Sequence, residues 1–475
     1  MKGEDVNKGQ GPVLLVGHLL FLGLAVLSLL HWKARVVHVD SAYQIFKWVQ
    51  KSGVEVEAYR FAAIFPQLMV KVLKLLGLPL ESLLQFASLG HVLVPYVIFI
   101  LIAHTLRRPW IAAATALAAV LCTRLTFYGI VLEANYLLCY PFLLAALLDR
   151  TDAQDKPWRR LLALFVALFL VVTVHPVGVL IALFVLAYFF LHRPADRRTH
   201  IILLVTTMAW GLFGRLLFPP SGYEAGLYHA TTQGAPTLLQ GADQPALGFL
   251  IGHTWEYTTH YIPLWTLLIV LCVSLFRSRR TNTLLLVLVA VVGYVVLNVV
   301  TYHSGEAAMM MEKNFLPLAT LVALPLLHHM AYWAKKPRTI IWLGLLVVVF
   351  LQFRGISFAS RPATQRLALL ENVVHLVKQA HAQKAAVRAG ELDEAGLYIL
   401  WALPYETLLL SALDGPDECL TAVIVPAEGM EALPLGLKFP AMSDDWPASK
   451  LDKRYFNLPD GPYVLISDLY RPQHP

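Results

Sequence analysis

The sequence predicts an all-α polytopic membrane protein of about eleven transmembrane helices, followed by a small soluble α/β domain at the C-terminal end. Three observations carry this. Of 475 residues, 57% are hydrophobic and only 15% are charged, whereas a soluble domain carries about 25% charged residues. The apolar residues come in long unbroken runs. Many runs reach the roughly 20 residues that a helix needs to cross a ~30 Å hydrocarbon layer.

Met1–Gln10 is polar, and the apolar run that follows is too long for a signal-peptide core and lacks a small-residue cleavage site. It reads as a retained first span. The expected spans are 12–31, 83–106, 109–128, 131–149, 160–175, 177–192, 200–218, 258–276, 283–301, 314–333 and 339–353. Basic residues set the orientation. With the N-terminus inside, the inner turns hold Arg107, Arg108, Arg150, Lys156, Arg159, Arg160, Arg193, Arg197, Arg198, Arg277, Arg279, Arg280, Lys335, Lys336 and Arg338. The short outer loops, together with the stretch from Pro219 to Tyr257, hold only Lys313, as the positive-inside rule requires. The net charge of +7 thus reports topology. No basic stripe with interleaved aromatics suggests nucleic acid.

The first outer loop, 32–82, carries two amphipathic patterns. Ala42, Ile45, Phe46 and Val49 recur at helical spacing up to Gly53. A second pattern begins near Pro66, with Gln67, Lys71 and Lys74 opposite Leu68, Met69, Val72, Leu75 and Leu76. Both read as helices in the outer membrane interface. The membrane domain covers 1–353. In the outer domain, 354–475, residues 361–388 are expected to form an amphipathic helix ending before Gly390. Strands are expected at Leu397–Leu400, Ala422–Val425 and Tyr463–Ile466. Cys122, Cys139, Cys272 and Cys419 share no metal or redox spacing.

Polar groups collect at the outer face: Asp40, Glu133, His175, then His253, Glu256 and His260, then His303, Glu306, Glu312 and Lys313. Asp40 has two readings. It is an N-cap of the first interfacial helix, or a surface carboxylate that takes a proton from an acceptor hydroxyl. Glu133 is either a solvated turn residue or part of a site. Lys313 is a snorkelling anchor or the cation a phosphate group would need. His175-Pro176 reads as a structural turn. The His253, Glu256 and His260 set has helical spacing but no fourth ligand, so no metal is assigned there.

The order of these features resembles the GT-C superfamily of membrane glycosyltransferases, nearest to its protein O-mannosyltransferase and aminoarabinose-transferase branches. The resemblance rests on Asp40-Ser41-Ala42-Tyr43 after the first span, then on Phe65-Pro66-Gln67 through Leu73-Lys74-Leu75-Leu76-Gly77. It continues through Arg107-Arg108-Pro109, Glu133, and Lys313-Asn314-Phe315-Leu316-Pro317 entering a span, over about 12–350. Ser41 stands where many members have a second acid, and Lys-Asn replaces Arg-Tyr.

The resemblance implies inverting transfer of a sugar from a polyprenyl-phosphate carrier, itself a membrane lipid, to an acceptor at the outer face. Asp40 would be the base and Lys313 would neutralise the phosphate. Glu133 would orient the acceptor or share a divalent cation with Asp40. His175, Glu312, Tyr43 and His303 are the further substrate-binding candidates.

A transporter or lipid flippase is the first alternative. It would place ionisable groups near the membrane midplane, whereas Arg124 and Arg215 lie near span ends. A non-catalytic assembly subunit with the same fold is the other. The lack of an Asn-x-Ser/Thr sequon favours a bacterial inner membrane with a periplasmic C-terminal domain.

Overall fold

The structure is a computed structural model that describes residues 11–150, 157–193, 196–239, 244–333, 338–425, 438–439 and 446–466. The predicted polar N-terminus and the inner-turn residues Lys156, Lys335 and Lys336 lie outside the described residues.

Apolar runs fold as helices because a helix satisfies every backbone hydrogen bond within its own segment. The helices are α1 (Gly11–Leu30), α2 (Val39–Gln50), α3 (Ile64–Leu75), α4 (Leu80–Ile100), α5 (Pro109–Ala118), α6 (Tyr140–Leu148), α7 (Pro157–Val172), α8 (Gly178–His192) and α9 (Arg197–Leu217). Next come α10 (Gly222–Gly234), α11 (Pro245–Glu256), α12 (Ile262–Arg277), α13 (Thr281–Thr301), α14 (Ala308–Phe315), α15 (Pro317–Trp333) and α16 (Arg338–Phe358). Each predicted span contains a helix, though not always over its whole length.

Among the described residues, four helices are long and apolar enough to cross a membrane: Leu80–Thr105, Thr281–Thr301, Ala308–Ala331 and Trp342–Gln379. Shorter apolar helices include Leu14–Leu30, Gly178–His192 and Ile262–Arg277. Leu22, Phe276, Val289 and Phe350 stand exposed on these helices, as do Leu212 and Leu216 on α9. An apolar surface of that extent calls for a lipid environment.

Two predicted spans are corrected. Residues 109–128 are helical only over α5, and 131–149 begins as a 3-10 turn, Glu133–Leu138, before α6. The irregular stretch between them is buried in protein. Its backbone finds partners there, including the Glu312 carboxylate. Arg124 N, Leu125 N and Thr126 N donate to it at 2.6, 3.0 and 2.8 Å. Non-helical backbone at membrane depth survives only where protein supplies such acceptors.

The two amphipathic helices of the 32–82 segment form as α2 and α3, but their faces are used differently from expectation. On α3 the lysine stripe points inward: Lys74 is 8% exposed while Leu75 is 86% exposed. Lys71 Nζ donates to the carbonyls of Trp48 and Lys51 at 2.7 and 2.9 Å, and Lys74 Nζ donates to that of Val49. The ammonium groups therefore cap the C-terminal end of α2, where the helix dipole favours positive charge. The apolar face of α3, with Leu68, Val72, Leu75 and Leu76, is left exposed.

The predicted helix 361–388 ends earlier, as α17 (Ser360–Gln379). It is followed by β1 (Lys384–Arg388), α18 (Leu403–Ser411), β2 (Thr421–Val425), β3 (Lys438–Phe439), β4 (Trp446–Pro447) and β5 (Val464–Leu465). Strand β1 lies between β2 and β5, parallel to both, with Ala385 opposite Ala422 and Val464. The expected strand at Leu397–Leu400 is helical turn instead, Glu394–Leu397 and Leu400–Ala402. This C-terminal domain does not stand apart. Trp32, Phe46, Trp48 and Leu84 share one hydrophobic core with Leu370, Tyr405, Leu408 and Phe456.

Candidate functional site

Six elements bring polar and charged side chains to one place in the helix bundle. Asp40 sits in the first turn of α2. It is not the N-cap, a position held by His38, so the capping role expected of it is corrected. Arg60 follows two residues in the left-handed region, Ala58 (φ 47°) and Tyr59 (φ 58°). Glu133 opens the 3-10 turn. Glu224 closes a capping box with Ser221 at the start of α10: Glu224 N donates to Ser221 Oγ at 3.3 Å and Ser221 N to Glu224 Oε2 at 3.4 Å. Lys313 lies on α14, and His175 lies in the turn between α7 and α8.

Arg60 ties two of the acids together. Its Nη1 lies 2.6 Å from Glu133 Oε2 and its Nη2 lies 3.4 Å from Glu224 Oε1. This holds the guanidinium firmly protonated against the cost of burial. Among the described residues Asp40 has no such ion pair. Burial, foremost, pushes its carboxyl up to about 6; the negative charges of Glu133 and Glu57 add to that, while the cations of Lys313 and Arg60 oppose it. Glu57 is itself held by α2, with Lys47 Nζ at 2.5 Å and Gln44 Nε2 at 2.9 Å.

Beside Arg60, Glu224 and Lys313 lies a cavity of about 360 Å³, within the roughly 300–1,000 Å³ usual for small-molecule sites; Asp40 and Glu133 are not among its lining residues. Arg60, Glu224, Lys313, Asn314 and His175 contribute its polar wall, with Tyr228, Tyr294 and Thr301. Val172, Leu180, Trp210, Phe218 and Leu297 make the rest apolar. Leu180, Tyr59 and Tyr228 on its lining are exposed, so the cavity reaches the surface of the helix bundle. Lys313 makes no ion pair among the described residues and is the cation free to meet an anion there.

Several expected contributors are elsewhere. Glu312 is corrected: it is wholly buried and its oxygens are taken by the 124–126 backbone and by Thr126 Oγ1 at 2.7 Å, so adjacency to Lys313 in sequence does not bring it to the cavity. Tyr43 is also corrected. Its ring is buried edge-on against Trp401 and Tyr405 of the C-terminal domain. His303 sits at the end of α13, its Nδ1 3.3 Å from the Val300 carbonyl, and is not part of the cavity wall. His260 Nε2 donates to the Cys122 carbonyl at 3.0 Å, a structural use. Ser41 Oγ accepts from Val131 N at 3.3 Å, tying α2 to the Glu133 loop.

Sequence reasoning missed Arg60 and Glu224. Arg60 was one of seven basic residues in a long loop. Glu224 was readable as the fourth residue of Ser221-Gly222-Tyr223-Glu224, a capping-box pattern, but its salt bridge was not.

Among the described residues, no group of three His, Cys, Asp or Glu side chains is placed to hold a metal ion. A divalent cation shared by Asp40 and Glu133 fits these surroundings poorly. The Glu133 carboxylate already pairs with Arg60, and Lys313 adds a second positive charge near Asp40.

Comparison with protein-family models, with curated proteins and with solved structures gives no match to this chain.

Proposed function

We propose that this chain is an outer-facing, GT-C-type glycosyltransferase with about eleven membrane spans, inverting the sugar it takes from a polyprenyl-phosphate carrier. The observation that carries this reading is Lys313, without an ion pair among the described residues, on the wall of one largely apolar cavity, with the half-buried carboxylate of Asp40 outside that wall but near enough to feel the Lys313 charge. A lipid-linked sugar phosphate needs those features together: apolar wall for the isoprenoid, a cation for the phosphate, and a base for the acceptor.

The chemistry follows from the charges. Asp40, ionised, accepts the proton of the acceptor hydroxyl as that oxygen attacks the anomeric carbon. The bond from that carbon to the phosphate oxygen breaks on the opposite face, and the lipid phosphate leaves with the electron pair. Lys313 stabilises the growing charge, in a site where burial strengthens the interaction. Arg60 holds Glu133 and Glu224 in place and is balanced by them. The orientation read from the basic turns puts this face outside, in a bacterial inner membrane.

The test is reconstitution in proteoliposomes with a polyprenyl-phosphate sugar and candidate acceptor hydroxyls. Formation of a new glycosidic bond by the native chain, and its loss in Asp40→Asn, is the expected result. Movement of the lipid or sugar across the membrane without a new bond would instead indicate a transporter or flippase. Bound carrier that is never turned over would indicate an assembly subunit.

A further inference from the structure

Val39, immediately before Asp40, has φ of +39°. A β-branched residue in the left-handed region is strained and persists only when its surroundings hold it there. What holds it comes from the C-terminal domain, more than 300 residues away. Val39 N donates to Glu406 Oε1 at 2.6 Å. Glu406, on α18, is locked by a two-point ion pair with Arg366 of α17, at 2.7 Å to Oε1 and 3.0 Å to Oε2. Arg366 Nε and Nη2 also donate to the Leu397 carbonyl at 3.2 Å. The next residue, Tyr398, is again left-handed, with φ of +44°. Its hydroxyl meets His38 Nε2 at 2.7 Å. Both ends of the His38–Val39 turn are thus gripped by one buried polar network.

We propose that the Glu406–Arg366 pair of the C-terminal domain is a positioning device that fixes the turn carrying Asp40 and so sets its place beside Lys313. This rests on the reading of Asp40 as the base. A helix could start at this point with Val39 relaxed to negative φ, and that rotation would re-aim the residue that follows. The Glu406 oxygen makes the strained form the favoured one by supplying the acceptor the Val39 N–H needs in a dry environment. Because Arg366 neutralises Glu406, the brace adds no net charge beside Asp40. A buried pair of this kind is weak evidence for stability and is better understood as a specificity device. The geometry here gives it a specific object.

The experiment uses the full chain in nanodiscs and two double variants. Arg366→Met with Glu406→Leu removes both charges together, leaving no uncompensated ion, but takes away the acceptor for Val39. Arg366→Met with Glu406→Gln is equally neutral but keeps an acceptor oxygen. Amide hydrogen exchange over 38–42 and the pH profile of sugar transfer are read for each. In the Leu variant the proposal expects at least tenfold faster exchange at Val39. It also expects at least a tenfold fall in kcat, a displaced acid limb and an unchanged donor KM. The Gln variant should restore both readouts towards native values.

Native exchange at Val39 in the Leu variant would overturn the brace. Faster exchange with a native pH profile would overturn the positioning role. The exchange readout needs no turnover. A native chain that transfers no sugar therefore defeats the reading of Asp40 as base, and with it the positioning of a base, while exchange still decides whether the brace holds the turn.

Discussion

Asp40 titrates near 6 because its surroundings resist the ionised form, and a base must be ionised to act. Transfer is therefore expected to rise with pH through about 6. Lys313→Met removes a cation that favours ionised Asp40, so the acid limb should move to higher pH, with kcat down by roughly 10²–10³ from lost phosphate stabilisation. Glu133→Gln removes a like charge and should move the limb to lower pH. Steady-state rates between pH 4.5 and 8.5 check both directions. The same shift bears on stability. The folded value lies above the ordinary 3.8, so the fold carries a penalty once pH exceeds about 6 that is absent below 3.8. Asp40→Asn should thus raise the Tm at pH 7.5, by roughly 1–3 kcal/mol of stability, and leave it unchanged at pH 3.5. Arg60→Met acts oppositely: it strands two largely buried carboxylates, and about 3–5 kcal/mol should be lost. Asp40, Glu133 and Lys313 stood out as candidates because each is a rare charge at an apolar boundary. Arg60 and Glu224 were not, because their role depends on an ion pair 164 residues apart in sequence.

The apolar runs reveal helices but not where a helix stops inside the protein. Residues 119–132 stay as apolar as their neighbours, so composition shows no break after Ala118. The break depends on Glu312 arriving from α14 to accept three backbone N–H groups. Glu312→Ala should therefore lower the Tm in detergent by the equivalent of about 3 kcal/mol or more, several donors being left unmet. A substrate-binding residue would instead weaken donor binding at unchanged Tm. The face of α3 was likewise misread at this scale. Its amphipathic pattern is real, but the lysines look like a solvent face until α2 supplies carbonyls for them. The strand content of the C-terminal domain was half visible: β2 and β5 match apolar runs, while β1 was absorbed into a helical pattern rich in alanine.

Across the whole molecule the 32–82 segment and the C-terminal domain share one core. Lys74 pairs with Asp452 at 3.0 Å, Tyr455 Oη donates to the Leu78 carbonyl at 3.1 Å, and Gln50 Nε2 donates to the Lys450 carbonyl at 2.8 Å. None of this was readable in the sequence, where the two parts lie at opposite ends. A chain ending at Phe358 should leave Phe46 and its neighbours uncovered, so residues 32–82 should be cleaved rapidly by added protease where the full chain resists. An independently tethered domain would leave that loop protected. The central claim is that Lys313 recognises a lipid phosphate at the cavity beside Asp40. The most direct measurement is the affinity of the protein in nanodiscs for polyprenyl phosphate and for the uncharged polyprenol, with and without Lys313→Met. The account predicts that the phosphate binds at least tenfold more tightly than the alcohol to the native chain, and that the substitution erases the difference. Equal affinity of the native chain for the two lipids would contradict it.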